Sequence, residues 1–197
     1  GLRDAGQRWR LPLLGGDTVS TPGPLTVTAT LMGEVPNGSM IRRATAQPGD
    51  LLVVSGPIGD GLLGLQAVRG QIDAPRLAAH YRTPEPRLDL IGTLRRFARA
   101  SADVSDGLLA DAGRIAIASG LAVEVTLDQL PISEDGAGWL AAQPDEAAGR
   151  LALATGGDDY QVVCAVDPAE LPALHAAGAG LAVVGRFRLG EGVSGTF

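Results

Sequence analysis

The sequence predicts an α/β (α+β) layered sandwich in which a mixed sheet is covered by helices. Runs with strand character alternate with runs of helical character along most of the chain. Clusters of Gly, Pro and Asp stand between them as turns. The 197 residues, 45% of them hydrophobic, suffice for one domain of good size, or for one domain and a piece of another.

The elements follow in order. Residues 25–35 alternate in the β manner, with Thr26, Thr28 and Thr30 on one face and Val27, Ala29 and Leu31 on the other. Pro36-Asn37-Gly38 breaks that run. A strand so near the start, facing both ways, wants partners that this chain barely supplies. Residues 42–50 are polar and end in the turn Pro48-Gly49-Asp50. Residues 51–55 read as a strand, and 61–69 and 74–81 as helices. Thr83-Pro84-Glu85-Pro86 is a rigid break. An amphipathic helix is expected over 88–100 and another over 108–118, then a strand over 121–127. Leu130-Pro131 opens an irregular stretch, and 146–154 is helical. Residues 161–166 form a strand, 168–177 a helix and 181–187 a last strand. The end, Val193-Ser194-Gly195-Thr196-Phe197, carries no terminating element.

Composition excludes several chemistries. All 16 residues counted as Lys+Arg are arginine, so neither a Walker-type phosphate loop nor a lysine Schiff base is available. Two histidines, His80 and His175, and one cysteine, Cys164, cannot assemble a Cys/His zinc site. Both histidines fall in predicted helices and read as helix-face residues, and Cys164 as a small core residue. A net charge of −6 without a basic face argues against nucleic acid. No apolar run approaches the ~20 residues that cross a bilayer, and no signal peptide is visible. A lone cysteine fits a reducing cytosol. What remains is carboxylate chemistry, hence Mg²⁺ or Mn²⁺.

Four Gly/Asp clusters sit at element ends. They are Gly15-Gly16-Asp17-Thr18, Gly56-Pro57-Ile58-Gly59-Asp60-Gly61, Asp103-Val104-Ser105-Asp106-Gly107 and Gly156-Gly157-Asp158-Asp159-Tyr160. Glycines let a backbone approach a ligand closely. The acids offer hard oxygens to a metal, and a helix start offers N–H groups to an anion. Each cluster alone is also an ordinary turn or N-cap. Together they point to a shared polyphosphate–metal site. Asp60 reads as a helix cap and Asp50 as a turn residue. Asp111 faces either the site or the solvent. Trp9 and Trp139, without aromatic neighbours in sequence, read as packing or surface residues.

In this order the motifs resemble bacterial thiamine-monophosphate kinases, of the aminoimidazole-ribonucleotide-synthetase-like (PurM-like) superfamily. The resemblance rests on those clusters together with Gly23-Pro24-Leu25, Gly33-Glu34-Val35-Pro36, Arg43 with Pro48-Gly49-Asp50, Arg82-Thr83-Pro84-Glu85-Pro86-Arg87, and Leu108 with Asp111. It covers nearly the whole chain. Gly-Gly-Asp-Thr is shared with hydrogenase-maturation and selenophosphate-synthesis relatives; the Ser-Asp-Gly-Leu, Arg-x-Pro-x-Pro-Arg and Gly-Gly-x-Asp-Tyr combination is specific.

The resemblance implies ATP- and Mg²⁺-dependent phosphorylation of thiamine monophosphate to thiamine diphosphate, by direct in-line transfer without a phosphoenzyme. It implies that Gly16, Asp17, Arg43 and Ser105 bind ATP. Asp17, Asp103 and Asp106 would hold Mg²⁺, and Asp158 would contact the thiamine moiety. Position 158 is usually glutamate in the family and is aspartate here. A PurM-like C-terminal domain is expected over 39–197, with 1–38 as the tail, including the last strand, of an N-terminal ATP-binding domain. The resemblance implies that the rest of that domain, roughly 100 residues, and a late aromatic substrate residue are to be expected outside this chain. The chain alone is thus expected to be an incomplete enzyme. The resemblance further implies a cytoplasmic homodimer for the intact protein, acting on small molecules, with no nucleic acid or membrane partner. The alternatives are another ATP-dependent enzyme of the superfamily, selenophosphate-synthetase-like or hydrogenase-maturation-like, and a non-catalytic nucleotide- or metal-binding module.

Overall fold

The computed structural model describes residues 1–177 and 180–197. The chain divides into two compact units, Gly1–Glu34 and Val35–Phe197.

The first unit carries one regular element, helix α1 (Leu2–Arg8), which the sequence reading missed. None of its residues is buried. The strand expected over 25–35 does not form. Leu25, Val27 and Leu31 are 92%, 79% and 71% exposed. A β pattern becomes a strand only when a neighbour accepts its ladder hydrogen bonds. Among the described residues none does, so the expected last strand of an N-terminal domain is absent from this chain's own sheet.

The second unit is built on a six-stranded sheet in the order β2-β4-β1-β5-β3-β6. The strands are β1 (Leu51–Val54), β2 (Ala98–Asp103), β3 (Ala122–Thr126), β4 (Val162–Val166), β5 (Ala182–Arg188) and β6 (Gly192–Thr196). All neighbours are antiparallel except β3 and β6. The helices are α2 (Asp60–Val68), α3 (Pro75–Arg82), α4 (Ile91–Phe97), α5 (Leu108–Ser119), α6 (Glu134–Ala141), α7 (Glu146–Thr155) and α8 (Leu171–Ala176).

Central β1 is buried along its whole length, which is why it reads as an unbroken apolar run rather than an alternation. Leu52 and Val54 share a core with Val163, Ala165, Val184 and Phe187, sealed by Leu108, Ala112, Ile115 and Ala116 of α5. Leu51 and Val53 join Cys164 and Val166 on the other face, against Phe97 of α4 and Leu174 of α8. Each fully buried side chain of this size contributes about 1.5–3 kcal/mol. A third cluster joins Leu63 of α2, Leu77 of α3 and Leu153 of α7, with Trp139 packed against it. Both histidines lie in helices as expected, His80 in α3 and His175 in α8.

Three differences from the sequence reading have physical causes. The helix expected over 88–100 stops at Phe97, and Ala98–Asp103 is strand β2. Its alanines favour helix intrinsically, but the ladder Ala100↔Ala165 to Asp103↔Val162 and the full burial of Ala100 override that preference. Asp103 therefore ends a strand. Helix α6 lies inside the supposedly irregular stretch, with Ser133 accepting from the Gly136 N–H at 3.0 Å. Strand β6 forms at residues read as featureless, because β3 offers it a parallel edge.

Candidate functional site

The sheet register determines where the glycine–aspartate segments meet. Val54 pairs with Val163, and Asp103 with Val162. The exits of β1 and β2 and the entry to β4 therefore share one end of the sheet. Segments 56–61, 103–107 and 156–160 emerge there together.

Backbone hydrogen bonds tie the second and third segments. The Val104 N–H donates to Gln161 O at 2.8 Å, the Tyr160 N–H to Val104 O at 2.8 Å and the Asp158 N–H to Ser105 O at 2.9 Å. Gly157 has φ +73°, and a Cβ there would lie 2.7 Å from Ser105 O, so only glycine fits. Asp158 (φ 58°) and Tyr160 (φ 50°) also take the left-handed region, although they are not glycines. Such strain persists only where surroundings impose it, and it concentrates at functional sites.

The first segment is held by Asp159, which is 2% exposed. Both its carboxylate oxygens accept from the Gly59 N–H at 3.0 Å, and Oδ1 also accepts from the Gly61 N–H at 2.8 Å. Burial pushes the Asp159 carboxyl up to about 7, against the opposing pull of those N–H bonds. The N-cap of α2 is Gly59, and no side chain of its own caps it. Asp60, read as that cap, instead accepts from Ser133 Oγ at 2.5 Å. Burial raises the Asp60 carboxyl and the Ser133 bond opposes it.

The open question about Asp111 resolves toward the site. It is 1% exposed, and its Oδ2 accepts from the N–H groups of Ser105 and Asp106 at 2.9 Å each. Its Oδ1 accepts from Arg114 Nη1 at 2.5 Å, while Arg114 Nη2 pairs with Asp106. Asp50 keeps the expected turn role, accepting from the Gln47 N–H at 2.8 Å, and adds a buried pair with Arg99 at 2.6 Å. Cys164 is buried, and burial pushes its thiol up to about 12, which suits a packing residue.

Of the site residues expected from sequence, Asp103, Ser105, Asp106 and Asp158 come together. Asp103 and Asp106 are exposed. Tyr160 OH donates to Asp158 Oδ1 at 3.2 Å. The phenol is raised first by partial burial, then by the charge of Asp158, with Asp103 adding to it. Arg43 is exposed, and its carbonyl accepts from Ser119 Oγ at 3.2 Å. That anchor is the C-terminal end of α5, about 18 Å of helix from the N-terminal end where the segments meet. Gly16 and Asp17 are exposed residues of the first unit, and Asp17 Oδ1 accepts from the Thr18 N–H at 2.7 Å. Asp159, Arg114 and the inward turn of Asp111 were missed as site residues. Asp159 stood inside a quoted motif, but no local pattern shows that it caps a helix 98–100 residues away.

Among the described residues no three His, Cys, Asp or Glu side chains converge as a metal cage. Two exposed carboxylates on one short segment, Asp103 and Asp106, still fit Mg²⁺. That ion is commonly held by one or two carboxylates, with substrate phosphates and water completing the shell.

Residues 47–195 match the family model described as AIR synthase related protein, C-terminal domain. The thiamine-monophosphate kinase of Caulobacter vibrioides is 52% identical over 200 residues, covering 98% of this chain and 57% of that protein. The crystal structure of thiamine-monophosphate kinase from Stenotrophomonas maltophilia K279a superposes with a TM-score of 0.73 at 35% identity, over 82% of this chain and 54% of that one. The structure of AaThiL complexed with AMPPCP and TMP gives a TM-score of 0.70 at 28% identity, over 79% and 50%. The chain spans about half the length of the curated relatives it matches. With its mixed sheet, its helical layers and its glycine–aspartate segments, the chain belongs to the AIR synthase related proteins and carries their C-terminal domain.

Proposed function

We propose that the whole protein phosphorylates thiamine monophosphate with ATP and Mg²⁺, giving thiamine diphosphate and ADP. The observation that carries this reading is the meeting of segments 56–61, 103–107 and 156–160 at one sheet end. They bring Asp103, Asp106 and Asp158 with them, in a chain 52% identical to a thiamine-monophosphate kinase. In this reading the substrate's phosphate oxygen attacks the terminal phosphorus of ATP. A new P–O bond forms as the bond to ADP breaks. No protein nucleophile is needed, so the chain's task is to position and to balance charge.

Asp103 and Asp106 would hold Mg²⁺, and Asp17 is proposed as a further metal ligand on the resemblance alone. The ion, when bound, neutralises phosphate charge. Ser105, on the backbone anchor that Asp111 provides, faces ATP. Gly16, Asp17 and Arg43 are proposed as nucleotide contacts on the resemblance alone; the anchor of Arg43 lies at the other end of α5 from the joined segments. The Asp106–Arg114 ion pair is exposed, and exposed pairs are weak enough for a divalent cation to displace the arginine. Asp158, held against Tyr160, offers its negative charge to the cationic thiamine ring. It is one methylene shorter than the glutamate usual at this position in the family.

Residues 1–38 are assigned to the N-terminal ATP-binding domain and 39–197 to the C-terminal domain. Among the described residues no helix is long and apolar enough to cross a membrane. The intact protein is proposed to be a cytoplasmic homodimer with small-molecule partners. The test is thiamine diphosphate formation from thiamine monophosphate, ATP and Mg²⁺, by the full-length protein beside the 197-residue chain. Turnover by the full-length protein supports the assignment. Its absence there, with turnover of a different phosphoryl acceptor, overturns it in favour of another enzyme of the superfamily.

A further inference from the structure

We propose that Arg87 is a positioning residue that sets the spacing of the three site segments, an inference that rests on the phosphoryl-transfer reading above. The break Thr83-Pro84-Glu85-Pro86 delivers Arg87 on a stiff backbone, since each proline fixes its own φ. Its guanidinium is then oriented by a two-pronged pair. Nε donates to Asp89 Oδ1 at 3.1 Å and Nη2 to Asp89 Oδ2 at 3.0 Å. That arrangement holds the Asp89 carboxyl below its ordinary range and leaves Nη1 to reach inward. Nη1 donates to the Ser55 carbonyl and to Gln161 Oε1, the latter at 3.0 Å.

Those two acceptors are the roots of the site. Ser55, 4% exposed, directly follows β1 and precedes segment 56–61. Gln161 directly follows segment 156–160, and its carbonyl accepts from the Val104 N–H of segment 103–107 at 2.8 Å. Ser55 Oγ closes the network, donating to Gln161 Oε1 at 2.8 Å and accepting from the Val162 N–H at 2.8 Å. A Cβ on Gly56 would lie 2.6 Å from Gln161 Oε1, so the network is packed tightly against the first turn. One planar cation thus fastens the bases of segments 56–61 and 156–160 directly, and that of 103–107 through the main chain of Gln161. Lysine cannot replace it, because a single ammonium cannot chelate Asp89 and reach Ser55 O and Gln161 Oε1 together.

The test uses the full-length protein with Arg87→Lys and Arg87→Ala. Amide hydrogen exchange without substrates is followed at Gly59, Gly61, Val104 and Tyr160. Steady-state kcat and KM are measured beside it. The expected result for Arg87→Lys is faster exchange at those four amides, with β3 and β5 unchanged. A kcat lowered about tenfold or more is expected beside it, with KM for ATP moved less than about threefold. Added guanidinium restores part of the Arg87→Ala turnover. Unchanged exchange, or exchange raised equally across the whole sheet, overturns the inference. So does a loss confined to KM for ATP, which would make Arg87 a phosphate contact. If the wild-type protein forms no thiamine diphosphate, the kinase reading fails by itself, and the exchange pattern alone decides for or against Arg87.

Discussion

Asp159 is the sharpest place to test how the site is held. Replacing it with alanine removes the acceptor for the N–H groups of Gly59 and Gly61, both buried. Leaving a buried donor unsatisfied costs about 1–3 kcal/mol, so Asp159→Ala is expected to lose about 2–5 kcal/mol of unfolding free energy. Asp159→Asn separates this hydrogen-bonding role from the charge. Its Oδ1 retains both donors, and the bond made by Oδ2 is given up at about 1 kcal/mol. Burial pushes the native carboxyl up to about 7, from an ordinary 3.8 that the unfolded chain is taken to keep. The folded state therefore holds the proton more tightly, and stability from this group falls as pH rises from about 4 through 7. Between pH 5 and pH 8 the wild type should lose about 2.5 kcal/mol relative to Asp159→Asn. Urea denaturation of wild type and both variants at pH 5, 6, 7 and 8, followed by circular dichroism, measures it. Parallel pH profiles for wild type and Asp159→Asn would refute the raised carboxyl. A loss below about 0.5 kcal/mol for Asp159→Ala would refute the clamp.

Further outcomes follow from the same geometry. Asp111→Ala orphans the N–H groups of Ser105 and Asp106 and should cost about 2–4 kcal/mol in urea denaturation, with kcat of the full-length protein falling alongside. Gly157→Ala combines a left-handed backbone with a Cβ 2.7 Å from Ser105 O. It should lower stability by about 1–3 kcal/mol and raise KM for thiamine monophosphate more than KM for ATP, since Asp158 is displaced first. Asp158→Asn should raise KM for thiamine monophosphate, measured by product formation, because it removes the carboxylate charge that the cationic ring faces.

The legible parts of the fold were those fixed by local pattern. The apolar run of β1, the amphipathic α5 and the glycine turns that bound them were all readable, because burial on both faces of a strand or on one stripe of a helix leaves its mark in adjacent residues. Residues 25–35 show the converse. Their alternation is real, yet a strand is a property of a pair, and no described residue pairs with them. Ala98–Asp103 read as helix because alanine prefers helix, and the pairing with β4 that overrides it lies some 60 residues onward. Helix α6 was read as an irregular stretch: Ser133, Glu134 and Asp135 carry the signal of a capping serine followed by first-turn acids, but Gly136 and Gly138 obscured it. In the candidate site, the acids at 103, 106 and 158 stood out in their motifs, and the sheet register brings them to one end. The fastening by Asp159, Asp111 and Arg114 was not legible, since it depends on which groups the folded sheet brings into reach.

Whether the joined segments form the phosphoryl-transfer site is decided by kcat of the full-length protein carrying Asp103→Asn or Asp106→Asn. It would be measured as thiamine diphosphate formed across a Mg²⁺ titration. If the segments do form it, both variants lose about 100-fold or more in kcat, about 2.7 kcal/mol, with a shifted Mg²⁺ dependence and an unchanged urea midpoint. Turnover within about threefold of wild type at every Mg²⁺ concentration would contradict it.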